Sequence, residues 1–195
     1  MDYDKLDQDQ QAIAKLVLEA AKELKINPNL LLAQAFQESG FRHIPNKETD
    51  AFGVMQIRPG TAALNDLGDT RDLRTNIYGG AKLMRQYLDK YKSPEAALLA
   101  YHQGPRVAQK YIDSDGDTTV IGPKGKDYIV KIGDYGGFNQ VSESNESDET
   151  EAQKIMREDE EKKRNTLPKP VVDDSYAMTG AVAGAAANSI LPIFT

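Results

Sequence analysis

Apolar residues recur every three to four positions along several stretches of the chain, which is the spacing of an amphipathic helix. Residues 41–58 lack this period, and their histidine, proline, aspartate and glycine predict an ordered loop with room for a short β-hairpin. Residues 118–125 are compatible with a short β excursion. The pattern therefore predicts a mainly α fold, with helices over residues 7–25, 28–39, 58–68, 75–91, 94–101, 106–112 and 126–133.

The second predicted helix has residues suited to both of its ends. Asn27 can cap its N-terminus, Pro28 suits the first helical position and Gly40 suits the end. Glu38 then lies in the last turn, at the negative end of the helix dipole. The apolar residues of this helix that would face a core are Leu31, Leu32, Ala35 and Phe36.

The surroundings of Glu38 disfavour its charged form, because hydrophobic neighbours and the helix dipole both oppose a negative charge there. We therefore expect a raised pKa. A carboxylic acid that stays protonated toward neutral pH suits a general acid at a glycosidic oxygen. A glutamate at a helix end is more commonly only solvated, and this segment alone favours that simpler interpretation.

A glycine pair, Gly79-Gly80, interrupts the helix predicted over residues 75–91. Each glycine lowers intrinsic helix stability by ~1 kcal/mol relative to alanine. Such a pair is more easily explained by another helix that lies close against it.

The sequence offers no metal site and implies no cofactor. It contains no cysteine and 2 histidines, His43 and His102, which are too few and too far apart to form a metal site. The acidic run Asp113–Asp117 resembles the start of a calcium loop, but Lys124 stands where such a loop needs its bidentate glutamate. We interpret this run as a turn.

The net charge of −6 argues against nucleic acid as the main partner. The N-terminal residues are acidic and polar, without the basic and apolar regions of a signal peptide. No stretch of sequence reaches the ~18 consecutive apolar residues of a membrane-spanning helix.

The composition changes after Gly136-Gly137, which predicts a boundary between a helical domain, residues 1–137, and an extension. Residues 138–170 are dominated by charged and polar side chains, which indicates a solvated linker or an isolated charged helix. Residues 171–195 are rich in alanine and glycine and have the small-residue spacing of closely packed helices. This segment is expected to dock on a partner, to pack back on the domain, or to touch a membrane interface.

Four ordered segments of the chain resemble the motifs of the soluble lytic transglycosylase (SLT) domain, a relative of goose-type lysozyme. A weaker fifth match is Tyr128-Ile129, placed like the late tyrosine of that family, and the resemblance covers about residues 10–132. The segments are Glu38-Ser39-Gly40-Phe41 (family Glu-Ser), Ala51–Gln56 (Gly-Leu-Met-Gln), Asn76-Ile77 with Gly80-Ala81 (Asn-Ile…Gly-Ala) and Ala100–Pro105 (Ala-Tyr-Asn-x-Gly-Pro).

The resemblance implies a lysozyme-like helical domain that acts on peptidoglycan glycan strands. Glu38 would protonate the oxygen between N-acetylmuramic acid (MurNAc) and N-acetylglucosamine (GlcNAc), and would then accept the proton of the muramyl C6 hydroxyl. A 1,6-anhydro ring would close without water, so no second carboxylate is required. Tyr128 is the better candidate to hydrogen-bond Glu38, whereas Tyr101 could be a core residue or a sugar platform. The residues with implied substrate contacts are Ser39, Met55, Gln56, Tyr101, His102 and Tyr128.

Two departures from the family pattern leave alternatives open. His102 stands where the family usually has asparagine, so a hydrogen bond must be remade by imidazole or lost, and a degenerate, glycan-binding virion protein is one alternative. Residues Asn46–Asp50 replace the usual approach to the second motif. Within that segment Glu48 and Asp50 are candidates for a second carboxylate, which would favour a hydrolytic muramidase acting at lysis.

The predicted setting is a bacteriophage virion, in which the protein opens the host wall during genome delivery and so reaches the periplasm. The absence of a signal-peptide pattern and the appended segment 171–195 motivate this hypothesis. Other virion proteins would then be the partners of that segment.

Overall fold

The computed structural model describes residues 2–139 and 150–166, and the described part of the chain confirms the predicted mainly α fold. It contains no β-strand, and short 3₁₀ helices span Tyr3–Lys5 and Thr118–Ile121. No helix in these residues is long and apolar enough to cross a membrane. The α-helices are α1 (Gln8–Glu23), α2 (Pro28–Ser39), α3 (Pro59–Leu64), α4 (Leu73–Tyr91), α5 (Pro94–Gln103), α6 (Pro105–Asp113), α7 (Gly122–Asp134) and α8 (Glu151–Thr166).

The start of α1 and both ends of α2 are set by local capping residues, and those of α2 are the ones predicted from the sequence. Asp7 caps α1 through its side chain and forms a reciprocal capping box with Gln10. Asn27 caps α2 by accepting a hydrogen bond from the backbone N–H of Asn29. Gly40 ends α2 in the left-handed conformation, with φ of 60°. The last turn of α2, which carries Glu38, therefore has a fixed position.

Helices α1, α2 and α4 enclose the main apolar core, and α5 and α7 pack against them. A smaller cluster joins α5 to α6 around Leu99 and Ala108. The contact of α2 with α7 places the late tyrosine of the sequence beside the end of α2. The largest fully buried side chains of the main core include Leu31, Leu32, Phe41, Met55, Ile77, Met84, Leu98 and Ile132.

The loop over residues 41–58 is held to α4 by the side chain of Asn76, which is fully buried. Its amide nitrogen donates to the carbonyl oxygens of Phe52 and Thr70 at 2.9 and 3.0 Å, and its amide oxygen accepts from the N–H of Met55 at 2.8 Å. Gly53 adopts φ of 82°, and a Cβ there would collide with the Asn76 amide. Instead of a regular hairpin, the loop has isolated β-bridges, from Phe52 to Pro45 and to Ile57.

The glycine pair in α4 makes room mainly for this loop, and helix α5, the kind of neighbour expected from the sequence, approaches Gly80 only through the Tyr101 side chain. A Cβ at Gly80 would lie 2.5 Å from the Cβ of Met55 and 3.0 Å from the hydroxyl of Tyr101. At Gly79 a Cβ would lie 3.3 Å from the Cβ of Leu67, which precedes α4. A glycine pair in a helix indicates only that another part of the chain approaches closely. The sequence pattern does not show whether that part is a loop or a helix.

The β excursion expected over residues 118–125 is also absent from the structure. Asp117 accepts a hydrogen bond from the N–H of Thr119 at 2.8 Å and so starts a 3₁₀ turn. Burial of Ile121 ends that turn against α5 and α6. Helix α7 then begins at Gly122, earlier than the predicted start.

Helix α8 lies against α1 and α2, so the charged segment is not an isolated helix over this range. Ala152 and Ile155 are fully buried on its inner face, three residues apart. Ion pairs join Lys15 to Asp159 at 3.6 Å and Lys154 to Asp4 at 3.1 Å. A narrow apolar stripe is enough to seat this helix, although its composition suggested a solvated linker. The expected docking segment, residues 171–195, lies outside the described residues.

Asn76→Ala should lower the free energy of unfolding by about 2–4 kcal/mol, because it leaves buried backbone groups of the loop without their partners. Urea unfolding followed by circular dichroism measures the change. Asn65→Ala is the matched control, since its side chain makes a partly exposed hydrogen bond to Thr61 within α3. A loss for Asn76→Ala no larger than that of the control would contradict the role given to Asn76.

Candidate active site

A cleft of about 540 Å³ opens beside the end of α2. Its walls come from the loop over residues 41–58, from α3, and from α4, α5 and the start of α6. A second cavity of about 540 Å³ shares Thr49, Ala51 and Ile57 with it, and of the candidate site residues in the sequence analysis only Asp50, considered as a second carboxylate, lines that cavity. The predicted residues that line the cleft are Glu38, Gln56, Tyr101 and His102.

Glu38 projects from the last turn of α2 and accepts a hydrogen bond from the hydroxyl of Tyr128, with 2.5 Å between Oε1 and Oη. Burial raises the pKa of Glu38 from 4.5 to about 7, and the hydrogen bond from Tyr128 opposes that rise. The predicted raised pKa and the predicted contact with Tyr128 are both confirmed. At neutral pH this carboxyl is therefore poised between its acid and its base form.

Tyr128 comes from α7 and is only 3% exposed. Burial and the neighbouring Glu38 carboxylate raise the pKa of Tyr128 well above its ordinary value, so the phenol remains a neutral hydrogen-bond donor. The imidazole of His102 stacks on this ring, with the centroids 4.1 Å apart and the planes 5° from parallel. His102 thus makes a ring contact to the partner of Glu38, where an asparagine would offer only an amide.

The electrostatic surroundings of His102 favour its neutral form. Partial burial and the positive charge of Lys124 lower the pKa of His102 below its ordinary value. The ring therefore stacks on Tyr128 without placing a positive charge next to Glu38 at neutral pH. The neutral, stacked imidazole therefore lets the site accommodate His102 in place of the usual asparagine.

The backbone of Val54 and Met55 is where the separate sequence motifs meet. Ser39 donates to the carbonyl oxygen of Val54 at 2.9 Å, and Tyr101 donates to the carbonyl oxygen of Met55 at 2.8 Å. The N–H of Met55 donates to Asn76, as described above. The hydroxyls of Ser39 and Tyr101 thus fix the loop on which the cleft wall is built.

Met55 does not line the cleft, contrary to the sequence prediction. Its side chain is fully buried in the main core, in the space left by Gly80. A thioether at that depth cannot pack on a sugar face. Met55 contributes its backbone groups, which hold the loop, and its side-chain volume, which fills the core beside Gly80.

Gln56 does line the cleft, with its backbone in the left-handed region at φ of 45°. Its amide nitrogen donates to the carbonyl oxygens of Gly53 at 2.7 Å and Ile44 at 3.2 Å. The amide oxygen has no hydrogen-bond partner among the described residues. That oxygen is itself buried, so Gln56 meets the cleft with the rest of its side chain and holds the loop through its amide nitrogen.

Sequence reasoning missed the cleft wall that α3 and α4 supply. Thr61, Leu64 and Asn65 line the cleft from α3, and Leu64 is 89% exposed. Tyr87 lines it from α4. An available signal was the spacing of Thr61, Leu64 and Asn65, which places them on one face of a short helix directly after the second motif.

The sequence profile of the Transglycosylase SLT domain matches residues 15–120, which is more than half of the chain. The chain belongs to this family. The matched region includes Glu38 and the other three principal motifs, whereas Tyr128 lies beyond its end. The structure brings Tyr128 to the SLT site although the profile does not reach it.

Among the curated relatives of this SLT domain is a protein named Transglycosylase from Enterobacteria phage PRD1, which is 36% identical over 89 residues. That match covers 46% of this chain and 34% of the phage protein. Another is Membrane-bound lytic murein transglycosylase F from Cellvibrio japonicus, 33% identical over 94 residues, covering 44% of this chain and 19% of that protein. The chain thus spans well under half the length of either relative.

The candidate second carboxylates do not enter the SLT cleft. Neither Glu48 nor Asp50 is among the residues that line it, and Asp50 lies 3.7 Å from Arg58 in an exposed ion pair. Glu38 is the only carboxyl group that the described residues contribute to this cleft.

Glu38→Gln should be more stable than wild type at pH 8 by about 2–3 kcal/mol and similar to it at pH 4. The folded protein keeps the Glu38 proton up to about pH 7, whereas the unfolded chain releases it near the ordinary value of 4.5. Wild-type stability from this group is therefore lost as the pH rises between those values. Glutamine has no proton to lose there. Urea unfolding at both pH values measures the difference.

The matched control is Glu48→Gln, which removes a carboxyl from the exposed loop. It should show the same difference from wild type at both pH values. An advantage of Glu38→Gln that does not depend on pH would show that burial of its charge is not the cause.

Proposed function

We propose that this SLT domain is a peptidoglycan lytic transglycosylase, which cleaves the β-1,4 bond between MurNAc and GlcNAc and leaves a 1,6-anhydromuramic end. One observation carries the proposal. The cleft has a single carboxyl among its described lining residues, and the pKa of that carboxyl is about 7. Family membership and the names of both relatives support the same reaction.

The proposed reaction uses Glu38 twice. Its carboxyl donates a proton to the glycosidic oxygen while the bond from that oxygen to the muramyl C1 breaks. The carboxylate that results accepts the proton of the muramyl C6 hydroxyl, and O6 bonds to C1. Glu38 ends protonated, as it began, and no water is consumed.

A pKa near 7 serves both halves of this cycle. A carboxyl at its ordinary value of 4.5 would be almost wholly ionised at neutral pH and could not start the reaction. The hydrogen bond from Tyr128 stabilises the carboxylate when it forms. A hydrolase that works with two carboxyl groups would need a partner in the cleft, and Glu48 and Asp50 do not supply one.

We assign substrate contacts to the groups that remain open in the cleft. Gln56 lines the cleft, but its amide oxygen is buried and its amide nitrogen donates to the loop backbone, so we assign it a positioning role. The exposed side chain of Leu64 offers an apolar surface to a sugar face. Ser39 and Tyr101 are assigned a positioning role, because their hydroxyls bond to the loop backbone. The ring of His102 borders both Tyr128 and the cleft.

Purified peptidoglycan digested by this protein in ¹⁸O-labelled water should yield fragments that end in 1,6-anhydromuramic acid without incorporated label. The muramyl C6 hydroxyl, rather than water, is the nucleophile. Mass spectrometry of the fragments measures both properties. Glu38→Gln is the matched control and should reduce product by about 10²–10⁴-fold or more, because glutamine cannot donate and retrieve a proton. Reducing muramic ends carrying ¹⁸O would instead indicate hydrolysis.

We further propose that the protein acts as a bacteriophage virion component that opens the cell wall during genome delivery. The phage origin of one relative supports this setting. Residues 171–195 are proposed to dock on other virion proteins, with a membrane interface as the alternative partner. The contacts of α8 with α1 and α2 support a folding unit that extends through α8, beyond the boundary expected at residue 137.

A chain that ends at residue 166 should keep full activity on purified peptidoglycan and lose incorporation into phage particles. It retains the cleft and α8, and lacks the proposed docking segment. Immunoblotting of purified particles measures incorporation. Replacement of residues 171–195 by a Gly/Ser segment of equal length separates the effect of sequence from that of length. Loss of activity in the shortened chain would place the removed residues in the catalytic domain.

A further inference from the structure

Gln34 is a fully buried polar residue whose amide nitrogen and oxygen both lack a hydrogen-bond partner among the described residues. The other fully buried amide side chain, Asn76, makes three hydrogen bonds. An unpaired amide in an apolar interior is costly, so such groups usually have a partner or a function. The neighbours of Gln34 in α2 are buried apolar residues, and a leucine there would satisfy packing alone.

The place of Gln34 in the helix connects it to the candidate active site. It lies four residues before Glu38, which puts both side chains on the same face of α2. Helix α7 packs on α2 and brings the buried Tyr128 to Glu38. The Gln34 amide acts on the Tyr128 hydroxyl in the direction that lowers the pKa of Tyr128, opposite to the effect of burial. That direction is the one expected when an amide N–H donates to the phenol oxygen.

We propose that Gln34 is a positioning residue whose amide N–H donates to the hydroxyl oxygen of Tyr128, so that Gln34, Tyr128 and Glu38 form one hydrogen-bonded series. The amide holds the phenol oxygen, and the phenol O–H is thereby directed at the carboxyl. The inference rests on the proposed role of Glu38 as acid and base.

The series has a definite electrostatic consequence. Donation to the oxygen of Tyr128 makes its O–H a stronger donor, because successive hydrogen bonds polarise one another. A stronger donor stabilises the carboxylate form of Glu38 and limits the rise of its pKa caused by burial. Gln34 therefore helps to keep that pKa near neutral, where the same group can act as acid and as base.

The other titratable groups around the series do not obscure this effect. Tyr101 on α5 and Tyr87 on α4 have raised pKa values, so both stay neutral in the range where Glu38 titrates. His102 on α5 has a lowered pKa and titrates on the acid side. Lys124 on α7 acts on His102 through its positive charge. Glu38 is accordingly the group that should change charge near pH 7.

The test follows the Glu38 side-chain carboxyl by ¹³C NMR during pH titration of the full chain. In Gln34→Met, which keeps the volume and removes the amide, the midpoint should rise by about 0.5–1 pH unit. Gln37→Met removes a half-buried amide from the same helix and should leave the midpoint unchanged. In a Tyr128→Phe background, Gln34→Met should have no further effect, because the connecting hydroxyl is gone.

An unchanged midpoint in Gln34→Met, or an equal shift with and without the Tyr128 hydroxyl, would overturn the inference. Should Gln34→Met fail to fold, the wild-type protein itself decides. Its Gln34 amide protons should show nuclear Overhauser contacts to the Tyr128 ring and slow exchange with water. If these contacts and the slow exchange are both absent, the inference is overturned. The titration needs no turnover. An inactive protein with a Gln34-dependent midpoint would contradict only the proposed function, and an active one with an unmoved midpoint would contradict only this inference.

Discussion

Three side chains from distant parts of the sequence converge on one short piece of backbone, Val54-Met55, and the cleft depends on that convergence. Ser39, Asn76 and Tyr101 each satisfy a peptide group of this loop. A loop of irregular conformation has no hydrogen-bond ladder of its own, so its buried peptide groups need such partners. Residues that look like separate motifs in the sequence therefore act as one structural unit. Gln56, which directly follows this backbone, lines the same cleft as Glu38.

The chemistry depends on a balance between burial and hydrogen bonding at Glu38. Burial alone would push the carboxyl toward a permanently protonated form, and the Tyr128 hydroxyl opposes it. The balance needs α7 to return to α2, which residues well after the family profile provide. Stacking of His102 on Tyr128 adds area to that contact. The pKa of the one carboxyl in this cleft is thus adjusted by Tyr128 from α7, a helix whose residues do not line the cleft.

Local sequence signals were sufficient for most of the helices and for the raised pKa of Glu38, whereas its role as an acid and base was inferred through the family resemblance. The caps of α2 are specified by Asn27 and Gly40, and the expectation for Glu38 follows from its place among apolar neighbours. The contact with Tyr128 was available only through the family resemblance, because nothing local connects residues 90 positions apart. Met55 was misplaced because hydrophobic character does not tell a groove wall from a core.

The same limit explains the errors outside the site. The pair Gly79-Gly80 indicates that something packs closely without showing what it is, and the structure places Leu67 against Gly79 and Met55 against Gly80. Composition placed α8 in solvent, although two small apolar contacts, Ala152 and Ile155, seat it on the core. Composition averaged over a stretch of sequence does not reveal an apolar stripe of only two buried residues. What the sequence could not supply in each case was the partner across space.

The contact of α8 with the core responds to ionic strength, because ion pairs on the surface form part of it. The charges that assist it, among them the pair of Lys22 with Glu160, are largely open to water, where dissolved ions screen attraction beyond about 8 Å at physiological ionic strength. The other part of the attachment is apolar, since Ala152 and Ile155 are fully buried, and dissolved ions do not screen it. Added electrolyte therefore weakens the ion pairs of α8 and leaves its apolar contact in place. The helix should stay on the core at ionic strengths at which its surface charges contribute little.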